Sequence, residues 1–256
     1  MLGLNYARFA LQVLGYPDQA LARSREALAL AEALSHPFTL ASEFGFSALF
    51  YQFRRDGRAA QARGEVAIDL VAEHGFSPLW WAYGTLVRGW ALAEQGEAEK
   101  GIAHLRHALE VLQTVGFYLM RPYHLGLLAE ALGKAGLAPE GRAVLAEALA
   151  MAHQTGERCC EAELYRLQGQ LILEPLESGV ASPKAEAEAF RAIDISRSQG
   201  ARLFELRAVM SLAHLRMRQG KKQEARMRLA EVYGWFTEGF DTKDLQEARA
   251  LLETLA

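Results

Sequence analysis

Two stretches of 21 residues, GEAEKGIAHLRHALEVLQTVG (96–116) and GLAPEGRAVLAEALAMAHQTG (136–156), decide the fold. Each begins with glycine, has a second glycine five residues later and an alanine twelve residues later, and ends on glycine at position twenty. Four further stretches keep this spacing, fully or loosely: 15–35, 180–200, 55–75 and 220–240. The first residues of these stretches, here called the turn anchors, are 15, 55, 96, 136, 180 and 220. They recur every 40 to 44 residues, which predicts six repeated units.

Each unit is predicted to be a pair of helices. Upstream of an anchor, stretches such as Pro37 to Arg54 and Pro78 to Glu94 carry apolar residues at three- and four-residue spacing, and a second such stretch follows the anchor. Breakers such as RDGR (55–58) and EQGE (94–97) lie between the two. Short turns make neighbouring helices antiparallel, and small side chains at fixed places allow the helices to cross closely.

The predicted fold is therefore an all-α superhelix, or α-α solenoid, of about six helix pairs with a period near 40 residues. A capping helix from Asp241 to Leu255 should close its carboxyl end, with Asp241 as the N-cap and one apolar stripe formed by Leu245, Ala248, Leu252 and Leu255. We expect one domain over residues 1–256, with units at about 1–35, 36–75, 76–116, 117–156, 157–200 and 201–240 and the cap at 241–256.

Composition narrows the class of partner. With 28 basic and 31 acidic side chains mixed along the chain, no basic stripe is available for a phosphate backbone, so nucleic acid is not an expected partner. The longest uncharged stretch, Gly75 to Val87, is too short to cross a bilayer. The only two cysteines, Cys159 and Cys160, are adjacent and cannot cross-link distant segments. These features predict a soluble protein of the reducing cytoplasm without a membrane span.

The small-residue code resembles the tetratricopeptide repeat. That family has a third small place, which here lies seven residues before the anchor and holds Ala48, Gly89, Ala129 and Ala213. Gly169 fits if the fifth unit carries a four-residue insertion, whereas Arg8 departs from the pattern. HEAT and armadillo repeats have the right length and are the structural alternative.

Longer strings resemble a more specific group. GYPDQALARSREALALAEALSHP (15–37), TGERCCEAELYRLQGQLIL (155–173) and VYGWFTEGFDTKDLQEARALLETL (232–255) look like the carboxy-terminal repeat region of large bacterial signalling proteins. In that group a cyclase or another domain precedes a predicted ATPase module and then the repeats. The resemblance implies a regulatory interaction segment whose catalytic modules lie outside this chain.

No catalytic motif is visible: the chain lacks GxxxxGK[ST], HExxH, GxSxG and a dinucleotide fingerprint. His104 and His107 share a helix face but have no third ligand nearby, so no metal or cofactor is predicted. The adjacent cysteines are expected to be small apolar residues at a helix start, with a redox switch as the alternative. Two charged groups complete the candidates. Glu161 and Glu163 should point apart, and Arg54, Arg55 and Arg58 should form a solvated helix end, with an anion site as the alternative.

The concave face of the superhelix is the predicted binding surface. In the third to sixth units the first helix should direct these residues into the groove: Tyr83, Leu86 and Trp90; Tyr123, Gly126 and Glu130; Glu163, Arg166 and Gln170; Arg207, Met210 and His214. We select Tyr83, Trp90, Tyr123, Glu130, Arg166, Gln170, Arg207 and His214 as the binding residues. The alternative for Trp90 and Tyr123 is packing between neighbouring pairs.

The predicted function is a non-catalytic scaffold that binds a protein, a peptide or another domain of its own polypeptide. The alternative is a sensor that holds a small molecule in the groove. A closed pocket with convergent polar groups favours the sensor, and a long open groove favours the scaffold. Arg166 and Arg207 are expected to face a partner carboxylate without taking part in the packed seam, so that reversing both charges should barely change stability. The alternative is that both arginines pair within the fold, for instance with Glu163 or Glu130, so that the same reversal clearly lowers stability.

Overall fold

The computed structural model describes residues 1–76, 78–173 and 182–256, and these residues form thirteen α-helices and no strand. The all-α prediction of six pairs and a final helix is confirmed. The turn at anchor Val180 and the predicted four-residue insertion lie outside the described residues. The helices are α1 (Leu2–Leu14), α2 (Pro17–Leu34), α3 (Pro37–Phe53), α4 (Gly57–His74), α5 (Leu79–Glu94), α6 (Ala98–Thr114), α7 (Arg121–Lys134), α8 (Ala138–Thr155), α9 (Glu161–Leu173), α10 (Pro183–Gln199), α11 (Arg202–Arg218), α12 (Lys222–Tyr233) and α13 (Lys243–Thr254).

In five of the six pairs the turn anchor ends the first helix by adopting a left-handed backbone, and the anchor of the fifth pair lies outside the described residues. The anchors at 15, 96, 136 and 220 are glycines with φ between 75° and 95°, and Arg55 takes the same region with φ 58°. Five of the six second helices end with a residue in the same region twenty residues later, at Ser35, Gly75, Gly116, Gly156 and Gly200, whereas α12 ends at Gly234 with φ −65°. A left-handed residue ends a helix because its N–H can bond back to a carbonyl of the last turn. The repeat seen in the sequence is therefore a repeat of helix stops.

Small side chains meet where the two helices of a pair cross. A Cβ atom added at Gly101 on α6 would lie 2.5 Å from the carbonyl oxygen of Gly89 on α5. In the same way, a Cβ atom added at Gly141 on α8 would lie 3.0 Å from the carbonyl oxygen of Ala129 on α7. These are the places five residues after and seven residues before an anchor. The backbones touch there, so only the smallest side chains fit.

The odd-numbered helices form a closed inner layer. Contacts run from α1 to α3, then through α5, α7, α9 and α11, and from α11 back to α1. Each even-numbered helix contacts only odd-numbered neighbours among the described residues. The two ends of the chain are joined: Asp18 Oδ2 accepts from the Gly239 N–H at 3.1 Å, and the Tyr16 ring meets that of Trp235. The six units thus complete one turn and close into a ring.

The first unit has an ion pair at the place where other units have a small residue. Arg8 stands where other units have alanine or glycine, and its Nη1 lies 2.6 Å from Glu43 Oε1 on α3 and 3.2 Å from Ser24 Oγ on α2. Both charged side chains are fully buried. The guanidinium group also lies over the rings of Phe9 and Phe50. A charge-assisted contact replaces close backbone packing in this unit.

The last helix differs from the predicted cap. It begins at Lys243 rather than Asp241, its N-cap is Thr242, and Asp241 is exposed. Leu245, Ala248, Leu251 and Leu255 are its buried apolar residues, so Leu251 rather than Leu252 completes the stripe. The helix packs on α11 and α12, and its first turn carries the buried Asp244 toward the inner layer. No helix in the described part of the chain is long and apolar enough to span a membrane.

Candidate functional site

The inner helices enclose a cavity of about 550 Å³. Helices α3, α5, α7, α9 and α11 contribute most of its wall, and Glu247 of α13 closes one side. Seven of the eight residues selected from the sequence line this cavity: Trp90, Tyr123, Glu130, Arg166, Gln170, Arg207 and His214. Glu163, Gly126 and Met210, which were also predicted to face the groove, line it too. The periodicity of the first helices therefore located one continuous surface.

Tyr83 and Leu86 do not reach the cavity. Tyr83 is buried among aromatic rings, with centroids 6.4 Å from Phe46, 5.9 Å from Phe117 and 5.5 Å from His124. Leu86 is fully buried. The amino-terminal half of α5 is covered by packed aromatic side chains, and only its carboxyl-terminal half, with Trp90 and Glu94, lines the cavity. The prediction that Tyr83 faces the groove is wrong for this reason.

Trp90 and Tyr123 form rigid walls rather than free anchors. Only 2% of Trp90 is exposed, and its Nε1 donates to Glu130 Oε2 at 3.3 Å. The Tyr123 ring stacks on Phe53 with centroids 4.6 Å apart, and its hydroxyl donates to Gln52 Oε1 at 2.7 Å. Burial raises the pKa of the Tyr123 hydroxyl well above its usual value. The packing alternative thus describes most of their surface, while one edge of each still lines the cavity.

Arg207 is the centre of a chain of alternating charges along one wall. Its Nε and Nη2 lie 3.0 and 2.8 Å from the two oxygens of Asp244, and Nη2 also donates to the Phe53 carbonyl at 2.7 Å. Its Nη1 is 3.7 Å from Glu163 Oε1. Although burial alone would lower it, the surrounding carboxylates raise the pKa of Arg207. This one side chain joins α11 to α3, α9 and α13.

The chain of charges continues at both ends. Arg166 makes two contacts with Glu163, at 2.9 and 2.8 Å, and a third with Gln170 Oε1 at 3.0 Å. Burial favours protonation of Glu163, but the two arginines outweigh it and lower its pKa. The expectation that Arg166 and Arg207 are free to face a partner carboxylate is wrong, because both guanidinium groups already pair inside the fold.

The basic run after α3 takes part in ring closure. Arg55 Nη1 lies 3.1 Å from Asp244 Oδ1 and 2.5 Å from Glu247 Oε2, and Arg54 Nη1 donates to the Pro17 carbonyl at 2.8 Å. Only Arg58 of the three arginines is exposed. The expected solvated helix end is therefore wrong for Arg54 and Arg55. The ion pairs thus form a row of alternating charges that connects the second unit to the last helix. In order, its members are Arg166, Glu163, Arg207, Asp244, Arg55 and Glu247.

Acidic and basic groups also surround the rim of the cavity. Lys134 pairs with Glu94 and lies 3.5 Å from Glu130 Oε1, while Lys243 Nζ is 3.6 Å from Glu94 Oε2. Burial raises the pKa of Glu130 even though Arg166 opposes it. The exposed polar residues of the cavity lining are Lys134, Gln170, His214 and Arg218. A ligand in the cavity would contact acidic and basic hydrogen-bonding groups here, together with the apolar side chains of Leu127 and Met210.

The charged rim residues were not selected from the sequence, although a signal for them exists. Glu94, Lys134 and Arg218 each stand two residues before a turn anchor, the last position at which an inner helix faces the mouth. Gln52 and Arg55 come from the second unit, and Glu247 comes from the last helix. These three join the site only because the ring closes, which the repeat pattern does not specify.

The histidine and glutamate candidates do not combine into a metal-binding group among the described residues. The described residues contain no group of three or more His, Cys, Asp or Glu that could hold a metal ion. His107 is exposed and its ring meets Trp81 edge-on, while His104 is half-buried beside it. Glu161 contacts His153 at 2.8 Å, whereas Glu163 faces the arginines of the cavity. The two carboxylates point apart, as expected from their spacing.

His124 gives the fold a dependence on pH. It is fully buried beneath Tyr83, and neither ring nitrogen has a hydrogen-bond partner among the described residues. Burial lowers its pKa from 6.5 to about 3. Between pH 6.5 and about pH 3, His124 is therefore protonated in the unfolded chain but neutral in the folded chain. We expect stability to fall by up to about 1.4 kcal/mol per pH unit between these values from this group alone.

The test compares urea unfolding of the parent chain and of His124→Phe at pH 7 and at pH 4.5. The variant should lose less stability on acidification than the parent, because phenylalanine has no nitrogen that could be protonated in the unfolded chain. Equal losses in both proteins would show that His124 does not carry the effect.

Comparisons with known proteins support the fold. No protein-family model matches the chain. An uncharacterised protein of Rhizobium meliloti (strain 1021) is 26% identical over 214 residues, which are 83% of this chain and 20% of that protein. The chain thus spans about a fifth of the length of this relative.

Three solved structures have the same arrangement of helices. A Rap protein complexed with competence and sporulation factor superimposes with a TM-score of 0.69 at 14% identity, covering 99% of this chain and 86% of that one. BtubC from P. vanneervenii gives 0.57 at 16% identity, with 92% of both chains covered. A signal transduction ATPase with a tetratricopeptide repeat sensor, from Pyrococcus horikoshii, gives 0.53 at 14% identity and covers 99% of this chain and 38% of that one. The fold is that of a tetratricopeptide-like helical repeat protein.

Proposed function

We propose that this chain is a non-catalytic regulatory module of a larger bacterial signalling protein and that it binds its partner in the central cavity. The observation that carries the proposal is the convergence of five inner helices on one polar, partly charged cavity of about 550 Å³. Ligand pockets for small molecules lie in the range of about 300–1,000 Å³. This arrangement suits a cytoplasmic module that binds a ligand and thereby regulates the domains attached to it.

The dimensions of the cavity favour a compact occupant. The ring is closed by contacts between α1 and α11, so the inner surface is not an open groove in which a long helix could lie. A small molecule, or a short protruding segment of a partner protein, fits the available space. This geometry favours the sensor over the extended scaffold, and both remain interaction modules rather than enzymes.

The similar proteins support the same proposal. The Rap structure contains competence and sporulation factor, and the P. horikoshii ATPase contains a repeat region named as a sensor. The R. meliloti relative is about five times longer than the matched region, which agrees with a repeat module attached to other domains. An attached cyclase or ATPase module is the arrangement that the sequence resemblance implies.

The experiment uses a variant that fills the cavity. Ser211 lies half-buried on the cavity wall, and its hydroxyl donates to the Arg207 carbonyl one turn earlier, so Ser211→Trp should occupy the space without breaking an ion pair. The control is Ser198→Trp, because Ser198 is an exposed serine of α10 with the same kind of bond to its own helix. Both variants and the parent are purified from the source organism and weighed by native mass spectrometry.

The parent and Ser198→Trp should carry the same additional mass, and Ser211→Trp should lack it while melting at a similar temperature. A mass of a few hundred daltons identifies a small-molecule sensor, and a protein-sized mass identifies a partner that inserts a segment. A partner retained by a folded Ser211→Trp variant would contradict binding in the cavity.

A further inference from the structure

Three sulfur atoms meet at the surface between the fourth and fifth units, on the side of the ring opposite the charged rim. Cys159 Sγ lies 3.8 Å from Cys160 Sγ and 3.9 Å from Met120 Sδ. Met120 precedes α7 and the two cysteines precede α9, so the donors come from two separate loops. Both thiols are free. We propose that Cys159, Cys160 and Met120 form a binding site for a soft monovalent metal ion, Cu(I), independent of the central cavity.

The spacing of the sulfur atoms suits three-coordinate binding. A metal ion about 2.3 Å from each of three sulfur donors at the corners of a regular triangle places those donors about 4.0 Å apart. The two distances between the sulfur atoms of Cys159 and its neighbours are within 0.2 Å of that value. Cys159 therefore stands at the spacing of such a site from both of the other donors.

The loops that carry the donors are held in place. Met120 adopts a left-handed backbone with φ 62°, and its N–H donates to Glu157 Oε1 at 2.6 Å, which joins the loop before α7 to the loop before α9. Gln199 Nε2 donates to the Arg158 carbonyl at 2.9 Å. An isolated left-handed methionine is unusual because its side chain crowds the backbone. Here that conformation directs the thioether to the cysteines.

The chemistry of the donors selects the ion. Thiolate and thioether sulfur favour Cu(I), whereas Zn²⁺ in a closed protein site takes four ligands from Cys, His and carboxylates. Cys159 is exposed and offers an entry path, while Cys160 is buried. Binding of Cu⁺ would release the thiol protons and form the metal–sulfur bonds without oxidation or reduction.

The test is competition for Cu(I) against bicinchoninate under anaerobic, reducing conditions, followed by the colour of the chelator complex. The parent should take one equivalent of copper per chain. Cys159→Ser and Cys160→Ser should each abolish competition, and Met120→Leu should weaken binding by about tenfold or more, as expected for loss of a metal ligand. Met227→Leu is the control, because Met227 is 61% exposed on the distant helix α12. It should bind copper as the parent does.

Four results would overturn the proposal. The first is a reduced parent chain that does not compete for copper. The second is a folded Met120→Leu variant that binds as tightly as the parent, and the third is Zn²⁺ that displaces the copper at equal concentration. X-ray absorption of the loaded parent gives an independent measure, since a three-sulfur site predicts three sulfur neighbours and no nitrogen or oxygen. A shell with nitrogen or oxygen neighbours would also overturn it.

Discussion

Replacing Arg207 by alanine should lower the free energy of unfolding by about 3–5 kcal/mol, the cost of removing one partner from a buried ion pair. Arg207 is only 7% exposed and contacts Asp244, Glu163 and the Phe53 carbonyl. Without it, Asp244 keeps Arg55 but loses its two closest contacts, and both carboxylates stay buried. The loss follows from the uncompensated charges more than from the missing side chain.

Urea unfolding followed by circular dichroism measures this effect. Arg226→Ala is the matched control, because Arg226 is an exposed arginine on α12, and its loss should change stability by less than about 0.5 kcal/mol. Arg207→Lys should fall between the two, since an ammonium group keeps the charge but not the paired geometry. If Arg207→Ala unfolds at the same urea concentration as Arg226→Ala, the ion-pair chain does not hold the ring together.

Replacing Ala148 by arginine should cost about 3 kcal/mol or more, because overpacking and burial of an unpaired charge act together. Ala148 is fully buried at the place twelve residues after an anchor, where every neighbouring unit also has a buried small or apolar residue. Two residues away on the same helix, Ala146 is exposed. The same substitution at Ala146 therefore separates the effect of position from the effect of the new side chain.

Thermal melting of Ala148→Arg and Ala146→Arg measures the difference directly. The first should melt far below the parent and the second close to it. Two variants with the same melting temperature would show that the small residues do not mark close helix crossings. The assignment of residues to positions relative to the turn anchors would then be wrong.

The sequence predicted the helix pairs because their signals are local. A left-handed glycine ends a helix wherever it occurs, and backbone contact between Gly89 and Gly101 requires small residues on both helices. The same frame placed Trp90, Glu130 and His214 on the inner surface, because all inner helices present the same face. These predictions depend on the repeat alone.

Closure of the ring could not be predicted, since it depends on the small rotation between successive units added over six of them. Contacts such as Arg55 with Asp244 join residues 189 positions apart in the chain. Nothing near Arg55 indicates that it pairs with the last helix. For the same reason Arg207 looked available for a partner, since its partner Asp244 lies on the last helix. Arg166, in contrast, pairs with Glu163 three residues away on its own helix, which is a local contact.

The closure of six units into a ring is the basis of the proposed binding site, and small-angle X-ray scattering tests it most directly. A compact chain of 256 residues should have a radius of gyration of about 18 Å. We expect the parent chain at low concentration to give a value near this and a distance distribution with a single symmetrical peak. An open superhelix would instead give a clearly larger radius and a distribution with a long tail, and that result would contradict closure of the ring.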